Sequence, residues 1–498
     1  MTAPVAGDQP GIRFWWHGAQ RSVVGVASTM TVLEWLRTEA RAVGTKEGCA
    51  EGDCGACLVM LAELDADAEQ GVALRPINSC IHLLAMIDGK AIVTVEDLHG
   101  ASGGLHPVQQ AMVDCHASQC GFCTPGFVMA LFGLYESRTD APSRAATCQA
   151  LAGNLCRCTG YRPIVAAAAQ AFERPRHRFD RAPLRTALQA MAARAALDYR
   201  AGAAAGGGRF EAPATLAALA QTLLAAPAAR IVAGATDIGL WITKQARPLP
   251  HLVHLDRVPE LHTLELQQGQ LVIGAAVSHS RAWPVLCRHV PALSDLARRF
   301  AAPPVCNAGT LGGNVANGSP IGDGMPPLLA LDARLRLQRG GQVRELALAD
   351  FYLGYQRTAL APGEFLRELV VPLPGPATRF ACYKVSKRYD QDISALCAAF
   401  RVDFADGVIT AARVAFGGMA ATPQRAPACE AALLGGHLDA ATLDAARRAL
   451  LTDFSPLSDL RASAAYRRVV AGRLLERWWH ALAGGGSPDA LDAVEAGA

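Results

Sequence analysis

Cys49, Cys54 and Cys57 are separated by four and two residues, and Cys80 follows after twenty-two more. This C-x4-C-x2-C…C spacing is that of a plant-type [2Fe–2S] loop, in which three thiolates from one turn and one distant thiolate must reach two irons. Gly48, Gly52 and Gly55 stand among the ligands, where a tight wrap calls for positive φ and for backbone amides close to sulfur. Disulfides or a zinc knuckle are the competing readings, but zinc knuckles favour two C-x2-C halves. The spacing predicts a redox centre.

A second quartet follows. Cys120 and Cys123 lie in Ser118-Gln119-Cys120-Gly121-Phe122-Cys123-Thr124-Pro125-Gly126, and Cys156 and Cys158 in Gly153-Asn154-Leu155-Cys156-Arg157-Cys158-Thr159-Gly160-Tyr161-Arg162. Between them residues 127–137 are apolar on a broad face and 143–151 are Ala-rich, with Pro142 suited to a first helical turn. Two antiparallel helices would bring the two cysteine turns together at one end of a bundle. Taken alone, this quartet also suits a four-cysteine zinc site. Directly after a plant-type loop, a second [2Fe–2S] centre is the favoured reading.

Length and composition limit what remains. A chain of 498 residues with 51% apolar content predicts three or four domains. Its net charge of +3, without a Lys/Arg run, excludes a nucleic-acid footprint. No charge-free stretch of about 20 apolar residues predicts a membrane span, and residues 1–11 do not read as a secretory signal. Fifteen cysteines without such a signal fit metal ligation in a reducing cytoplasm. Cys115, Cys148, Cys287, Cys306, Cys382, Cys397 and Cys429 match no ligand spacing and read as small buried hydrophobes.

Local patterns divide the chain. Strand-like runs at 12–16 and 21–26 flank a hairpin signal at 17–20, and Thr31 and Glu34 open a helix through residue 42 as a capping box. Strands at 57–61 and 92–95 complete a β-grasp ferredoxin-like domain over residues 1–97. The helical second domain covers 98–172. Arg- and Pro-containing sequence, an Ala-rich helix and the flexible run 203–208 make 173–209 a linker. A third domain spans 210–385, and 386–498 forms a strand-then-helix α+β cap ending in a frayed tail from 484.

The third domain carries two small-residue turns. Arg230-Ile231-Val232-Ala233-Gly234-Ala235-Thr236-Asp237 is an apolar strand breaking into a turn, and Thr310-Leu311-Gly312-Gly313-Asn314 repeats the chemistry about eighty residues on. Successive backbone N–H groups in such turns can cradle an anion. Two of them fit a dinucleotide pyrophosphate held from two sides. The first is not G-x-G-x-x-G, so a Rossmann domain is rejected.

The two cysteine runs, above all residues 119–126 and 155–161, resemble the paired iron–sulfur domains of the molybdenum hydroxylases, the xanthine dehydrogenase and aldehyde oxidase group. The resemblance implies an α+β multidomain chain. Its parts would be a β-grasp [2Fe–2S] domain, a helical-bundle [2Fe–2S] domain, and a vanillyl-alcohol-oxidase-like FAD domain with its α+β cap. Both turns resemble that family's FAD loops. Phe300 would then stack near the adenine or ring system, Asp323 would hold ribose or adenine-side groups, and Leu366 and Lys384 would border the isoalloxazine. Tyr355 falls where the family has a tyrosine beside the flavin face that nicotinamide approaches. Asp237 stands where relatives commonly carry glutamate, and the resemblance makes it the last cofactor-binding residue of the first turn.

The resemblance further implies an iron–sulfur and FAD subunit of a bacterial-type xanthine dehydrogenase, since no stretch resembles the family's molybdenum domain. Its partner would be a molybdopterin-binding large subunit in an (αβ)2 heterotetramer, with NAD+ as electron acceptor. No catalytic residue for substrate hydroxylation is expected on this chain. Gln119, beside Cys120, has two readings: a contact to the partner's molybdopterin, or a solvated loop residue. The same redox role for another purine, N-heterocycle or aldehyde hydroxylase is the alternative, and a non-turnover adaptor is a further one from a different class.

Overall fold

A computed structural model describes residues 11–99, 103–192, 196–389 and 391–484. The readings of residues 1–10 and of the tail from 485 lie outside them. The chain divides into two compact units. One runs to Glu260 and takes in Ser278–Ser280 and Ala301–Thr310; the other holds Leu261–Val277, Arg281–Phe300 and the chain from Leu311 onward.

In the first unit a five-stranded sheet has the order Ala19–Val23, Ile12–Trp16, Ala91–Val93, Leu58–Leu64, Val72–Asn78. Its first hairpin turns on two residues only, His17 (φ 52°) and Gly18 (φ 70°), because two left-handed residues match the twist of paired strands. The second strand therefore begins at Ala19, earlier than the alternation suggested. Thr31 caps the helix Val32–Thr38, its hydroxyl accepting from Glu34 N–H at 3.1 Å. Trp35 of that helix packs edge-on against Phe14 and Trp16.

The helices Pro107–Asp114, Thr124–Glu136, Arg144–Leu151 and Arg162–Glu173 follow. Pro142 precedes Ser143, the N-cap of its helix, so it lies just outside the first turn. Thr124–Glu136 is apolar nearly all round because it is buried nearly all round, with Phe127, Met129, Phe132 and Tyr135 in one core with Met60 and Val72 of the sheet.

The segment expected to be a linker is structured where it is described. Ala182–Met191 is a helix whose Leu184, Leu188 and Met191 join that same core. Arg181, just before it, is buried and donates to Glu136 Oε2 and Val72 O, both at 2.9 Å. Breaking such a buried pair from one side costs about 3–5 kcal/mol, so the strap is fastened. The run 203–208 closes a hairpin between Leu197–Arg200 and Arg209–Ala212, with Ala201 N–H bonded to Gly208 O at 2.9 Å. Those strands start a four-stranded sheet continued by His251–His254 and Arg230–Val232, so the third domain begins before residue 210.

His254 ends the strand beside Arg230–Val232, and its Nε2 lies 3.1 Å from Ala233 O. Burial first, and then the nearby Lys90 and Arg257 cations, lower its pKa to about 4 against a partial opposing pull from Asp256. The imidazole is neutral in the fold and charged when unfolded below about pH 6.5. Stability is therefore full above that value and falls as pH drops toward 4, by about 3 kcal/mol for this group. Chemical denaturation of His254→Gln from pH 7 to 4 is expected to show a shallower loss than the parent; equal slopes would contradict this.

The second unit has a five-stranded sheet in the order Leu264–Gln267, Gln270–Gly274, Phe365–Pro372, Arg334–Arg339, Gln342–Ala347. A separate antiparallel sheet runs Thr378–Val385, Leu396–Ala405, Val408–Gly417, Gln424–Arg425. The helices Pro427–Leu433, Ala440–Asp453 and Ala464–Leu482 cover it, with Trp478 stacked on Phe400 at 5.1 Å. This sheet opens at Thr378, so the α+β cap takes in residues placed before its expected start at 386. Among the described residues no helix is long and apolar enough to cross a membrane.

Candidate iron–sulfur centres and flavin site

The first quartet is gathered by one loop and one strand end. Cys49 Sγ faces the N–H groups of Glu51, Asp53 and Cys54, each at 3.4 Å. Left-handed Gly52 (φ 77°) and Gly55 (φ 71°) turn the loop. Cys57 and Cys80 are buried with sulfurs 3.3 Å apart. Asn78 Nδ2 donates to Gly52 O at 2.8 Å and Ser79 Oγ to Cys57 O at 2.5 Å, which fixes the distant cysteine's strand to the loop.

Sulfur-to-sulfur contacts run Cys54–Cys49–Cys80–Cys57. Cys49 is held far below the usual thiol pKa by hydrogen bonds from Cys54 and Cys80, while Cys54 and Cys80 are pushed up because each faces a neighbour that ionises first. Among the described residues no three or more His, Cys, Asp and Glu side chains have the arrangement that holds a metal ion; the sulfurs are close in a chain. Four thiols cannot all ionise in such contact without cations between them, and two irons would supply that charge.

The second quartet is formed by the turn before Thr124–Glu136 and the loop before Arg162–Glu173. Its sulfurs pair as Cys123 with Cys156 and Cys120 with Cys158. Thr159 Oγ1 donates to Cys156 Sγ at 3.2 Å, and Cys156 N–H donates to Tyr161 OH at 3.0 Å. Burial pushes Cys123 up to about 12, the Cys156 contact adding to it. Cys120 and Cys158 are exposed, as are Gln119 and Phe122.

These two loops touch each other. Cys54 O accepts from Leu155 N–H at 3.0 Å, so a ligand of the first quartet is one hydrogen bond from the neighbour of Cys156. A Cβ on Gly55 would stand 2.3 Å from Gly153 O and 2.5 Å from Asn154 Nδ2, and one on Gly126 would stand 2.1 Å from Gly55 O. No spacing rule marks Asn154, Leu155 or Gly126 in this role. Only their nearness in sequence to the cysteines hints at it.

Each unit by itself holds residues assigned to FAD by resemblance. In the first, Arg230, Ile231 and Val232 form the strand. Ala233, Gly234, left-handed Ala235 (φ 57°), Thr236 and Asp237 make the turn before the helix Ile238–Thr243. A Cβ on Gly234 would lie 1.8 Å from Ala308 O, so this turn is packed directly on the chain that leads through Gly309 to buried Thr310.

In the second unit, Leu311, Gly312, Gly313 and Asn314 open the helix Leu311–Asn317, and Gly312 lies against Ala275, 2.5 Å from its Cα to a built Cβ. Lys384 donates to Asp323 Oδ2 at 2.5 Å, to Asp392 O at 2.8 Å and to Ser394 Oγ at 2.9 Å. Asp323 Oδ1 and Asn314 Oδ1 are buried acceptors without a hydrogen-bond partner. Leu366 is buried in the strand Phe365–Pro372. Phe300 packs on Trp283, ring centroids 5.3 Å apart. Tyr355 is 60% exposed on the turn after Tyr352–Gly354, which removes core packing as its explanation.

Of the other cysteines, Cys382, Cys397 and Cys429 are buried, Cys115, Cys287 and Cys306 partly so, and Cys148 is exposed.

Residues 16–84 match the family described as the 2Fe-2S iron-sulfur cluster binding domain, and 94–169 the [2Fe-2S] binding domain. Residues 204–374 match the FAD binding domain in molybdopterin dehydrogenase, and 381–482 the CO dehydrogenase flavoprotein C-terminal domain. A xanthine dehydrogenase of Drosophila subobscura is 30% identical over 508 residues, covering 89% of this chain. The chain belongs to the molybdenum hydroxylase family. Within that family it is the electron-transfer part that carries [2Fe–2S] and FAD domains.

It spans 37% of the Drosophila relative's length. A carbon monoxide dehydrogenase from Hydrogenophaga pseudoflava, lacking the Mo-pyranopterin moiety, aligns with TM-score 0.51 and 28% identity over 54% of this chain and 94% of that one. Quinoline 2-oxidoreductase from Pseudomonas putida 86 aligns with TM-score 0.50 and 29% identity, covering 55% and 96%.

The residues present fit the family's groups. All eight candidate cluster donors are cysteine sulfurs in two close sets, and Gly48 leaves space where a Cβ would meet Cys54 Sγ at 2.7 Å. The bare buried oxygens of Asp323 and Asn314 suit donors on a polar ligand.

Proposed function

We propose that this chain is the iron–sulfur and FAD subunit of a xanthine dehydrogenase-type enzyme. Electrons would enter from a molybdopterin-binding large subunit that oxidises hypoxanthine and xanthine to urate, and leave to NAD+. Each cluster carries one electron at a time and FAD exchanges one or two, which joins single-electron hops to hydride transfer.

One observation carries the reading. The loop of Cys49, Cys54 and Cys57 touches the loop of Cys156 and Cys158 through Gly55 and Leu155, and touches the helix that leaves the 233–237 turn through Ala50, while Ile81, next to Cys80, packs on the same helix. That position supports an order in which Cys120, Cys123, Cys156 and Cys158 hold the entry centre and Cys49, Cys54, Cys57 and Cys80 the one nearer the flavin. Backbone N–H groups aimed at Cys49 raise that centre's affinity for electrons, and burial of Cys57 and Cys80 excludes water from it.

The turns at 230–237 and 310–314 would hold the FAD pyrophosphate. Asp323 and Lys384 would present a fixed charge pair to polar flavin groups, and Leu366 would face its ring. Exposed Tyr355 would meet the nicotinamide. An (αβ)2 heterotetramer in the reducing cytoplasm suits exposed Cys120 and Cys158, whose centre needs a partner's cover.

The relatives called xanthine dehydrogenase support the purine substrate; the likeness to quinoline 2-oxidoreductase supports the N-heterocycle alternative. Co-purification with the large subunit, followed by xanthine-dependent NADH formation, separates them. Cys120→Ser is expected to remove one of two EPR-active cluster signals, abolish xanthine-to-NAD+ turnover and leave flavin bound. Two intact cluster signals would overturn the ligand assignment, and quinoline turnover without xanthine turnover would favour the alternative.

A further inference from the structure

The helix Ile238–Thr243 leaves the 233–237 turn and touches the chain of the first cysteine quartet at two places, beside Cys80 and beside Cys49. At its start Gly239 rests on Ile81, the residue after Cys80. A Cβ there would stand 2.7 Å from Ile81 Cβ, 2.7 Å from Ile81 O and 3.0 Å from Ile81 Cα. At its end the Thr243 hydroxyl is 2.7 Å from the carbonyl of Ala50, the residue after Cys49, and 3.0 Å from Gly239 O. Between them Leu240 packs on Leu33, Cys57, Cys80 and Ile81. Gly239 N–H donates to Ala235 O at 2.7 Å, which ties the contact back into the turn. All these residues belong to the first unit.

We propose that this helix is the spacer that sets the gap between the first iron–sulfur centre and the flavin, with Gly239 and Thr243 as its positioning residues. The inference rests on the cluster and flavin assignments above. A side chain at 239 would meet backbone atoms, which no rotamer change relieves, so the helix and the turn carrying Cys80 and Ile81 must part. Thr243 fastens the other end: its hydroxyl reaches across the chain to the loop and is not confined to its own helix. Electron tunnelling weakens steeply with the gap between centres, so a displaced spacer slows transfer while each centre stays bound. A helix that merely buried apolar surface would need neither the glycine nor the cross-chain hydroxyl.

The test uses the full chain with its iron and flavin. A light pulse with EDTA as electron donor reduces the bound flavin, and flavin and iron–sulfur absorption are followed separately. In the parent, cluster bleaching follows the flavin closely. Gly239→Ala and Thr243→Val are expected to hold parental iron and flavin yet show cluster bleaching several-fold slower, and Thr243→Ser to restore the parental rate. Parental rates in both Gly239→Ala and Thr243→Val overturn the spacer alone. Loss of iron or flavin from Thr243→Val overturns it too, since the hydroxyl would then hold a binding loop and not a gap. A parent chain without iron or flavin removes the assignments themselves, and the spacer with them. Thr243→Val decides the matter if Gly239→Ala does not fold.

Discussion

Gly55→Ala is expected to drive the two cysteine loops apart and to destabilise the chain strongly. Gly55 has φ 71°, a conformation that disfavours any side chain by about 1–2 kcal/mol. Its Cβ would also stand 2.3 Å from Gly153 O and 2.5 Å from Asn154 Nδ2, and overpacking at a closed contact costs about 1–3 kcal/mol. The two effects act on the same atoms, so relief of one does not relieve the other. Gly153 cannot retreat easily: its own Cβ position lies 2.7 Å from Ala302 Cβ. The Cys54 O to Leu155 N–H bond is then the first casualty. Thermal unfolding should fall by many degrees, and the magnetic interaction between the two reduced clusters should weaken in EPR spectra. A stable variant with an unchanged interaction would contradict the contact.

Lys384→Met is expected to unfold the neighbourhood of the candidate flavin site and to abolish flavin binding. The Lys384 side chain is 2% exposed and Asp323 7%, and the lysine supplies the carboxylate's bond at Oδ2 while Oδ1 has none. Removing the cation leaves a buried, uncompensated charge, which costs about 3–5 kcal/mol. The paired variant Asp323→Leu with Lys384→Met removes both charges, and apolar replacement of a buried pair is often neutral for stability. The double variant should therefore regain folding but stay free of flavin. Normal flavin content in the double variant would show that the pair is scaffolding only.

The parts of this architecture that chemistry dictates locally were readable from the chain. Ligand number and loop length leave few alternatives for Cys49, Cys54, Cys57 and Cys80. A capping threonine announces the helix beside them, and the hairpin signal at 17–20 contains the turn, which closes on His17 and Gly18 alone. What was missed lies in contacts between distant residues. The 173–209 segment looks like a linker because its Arg, Pro and Ala content is that of one, but Leu184, Leu188 and Met191 fall at helical spacing and bury one face. Gly55, Gly126 and Gly239 each serve a contact with backbone far along the chain, and no local pattern distinguishes them from turn glycines.

The central claim is that two sets of four sulfurs hold two iron pairs beside a flavin. Iron, acid-labile sulfide, zinc and flavin measured together on the anaerobically purified chain test it most directly. About four irons and four sulfides with one flavin per chain are expected. Zinc in place of iron, or iron near two per chain with both quartets intact, would contradict it.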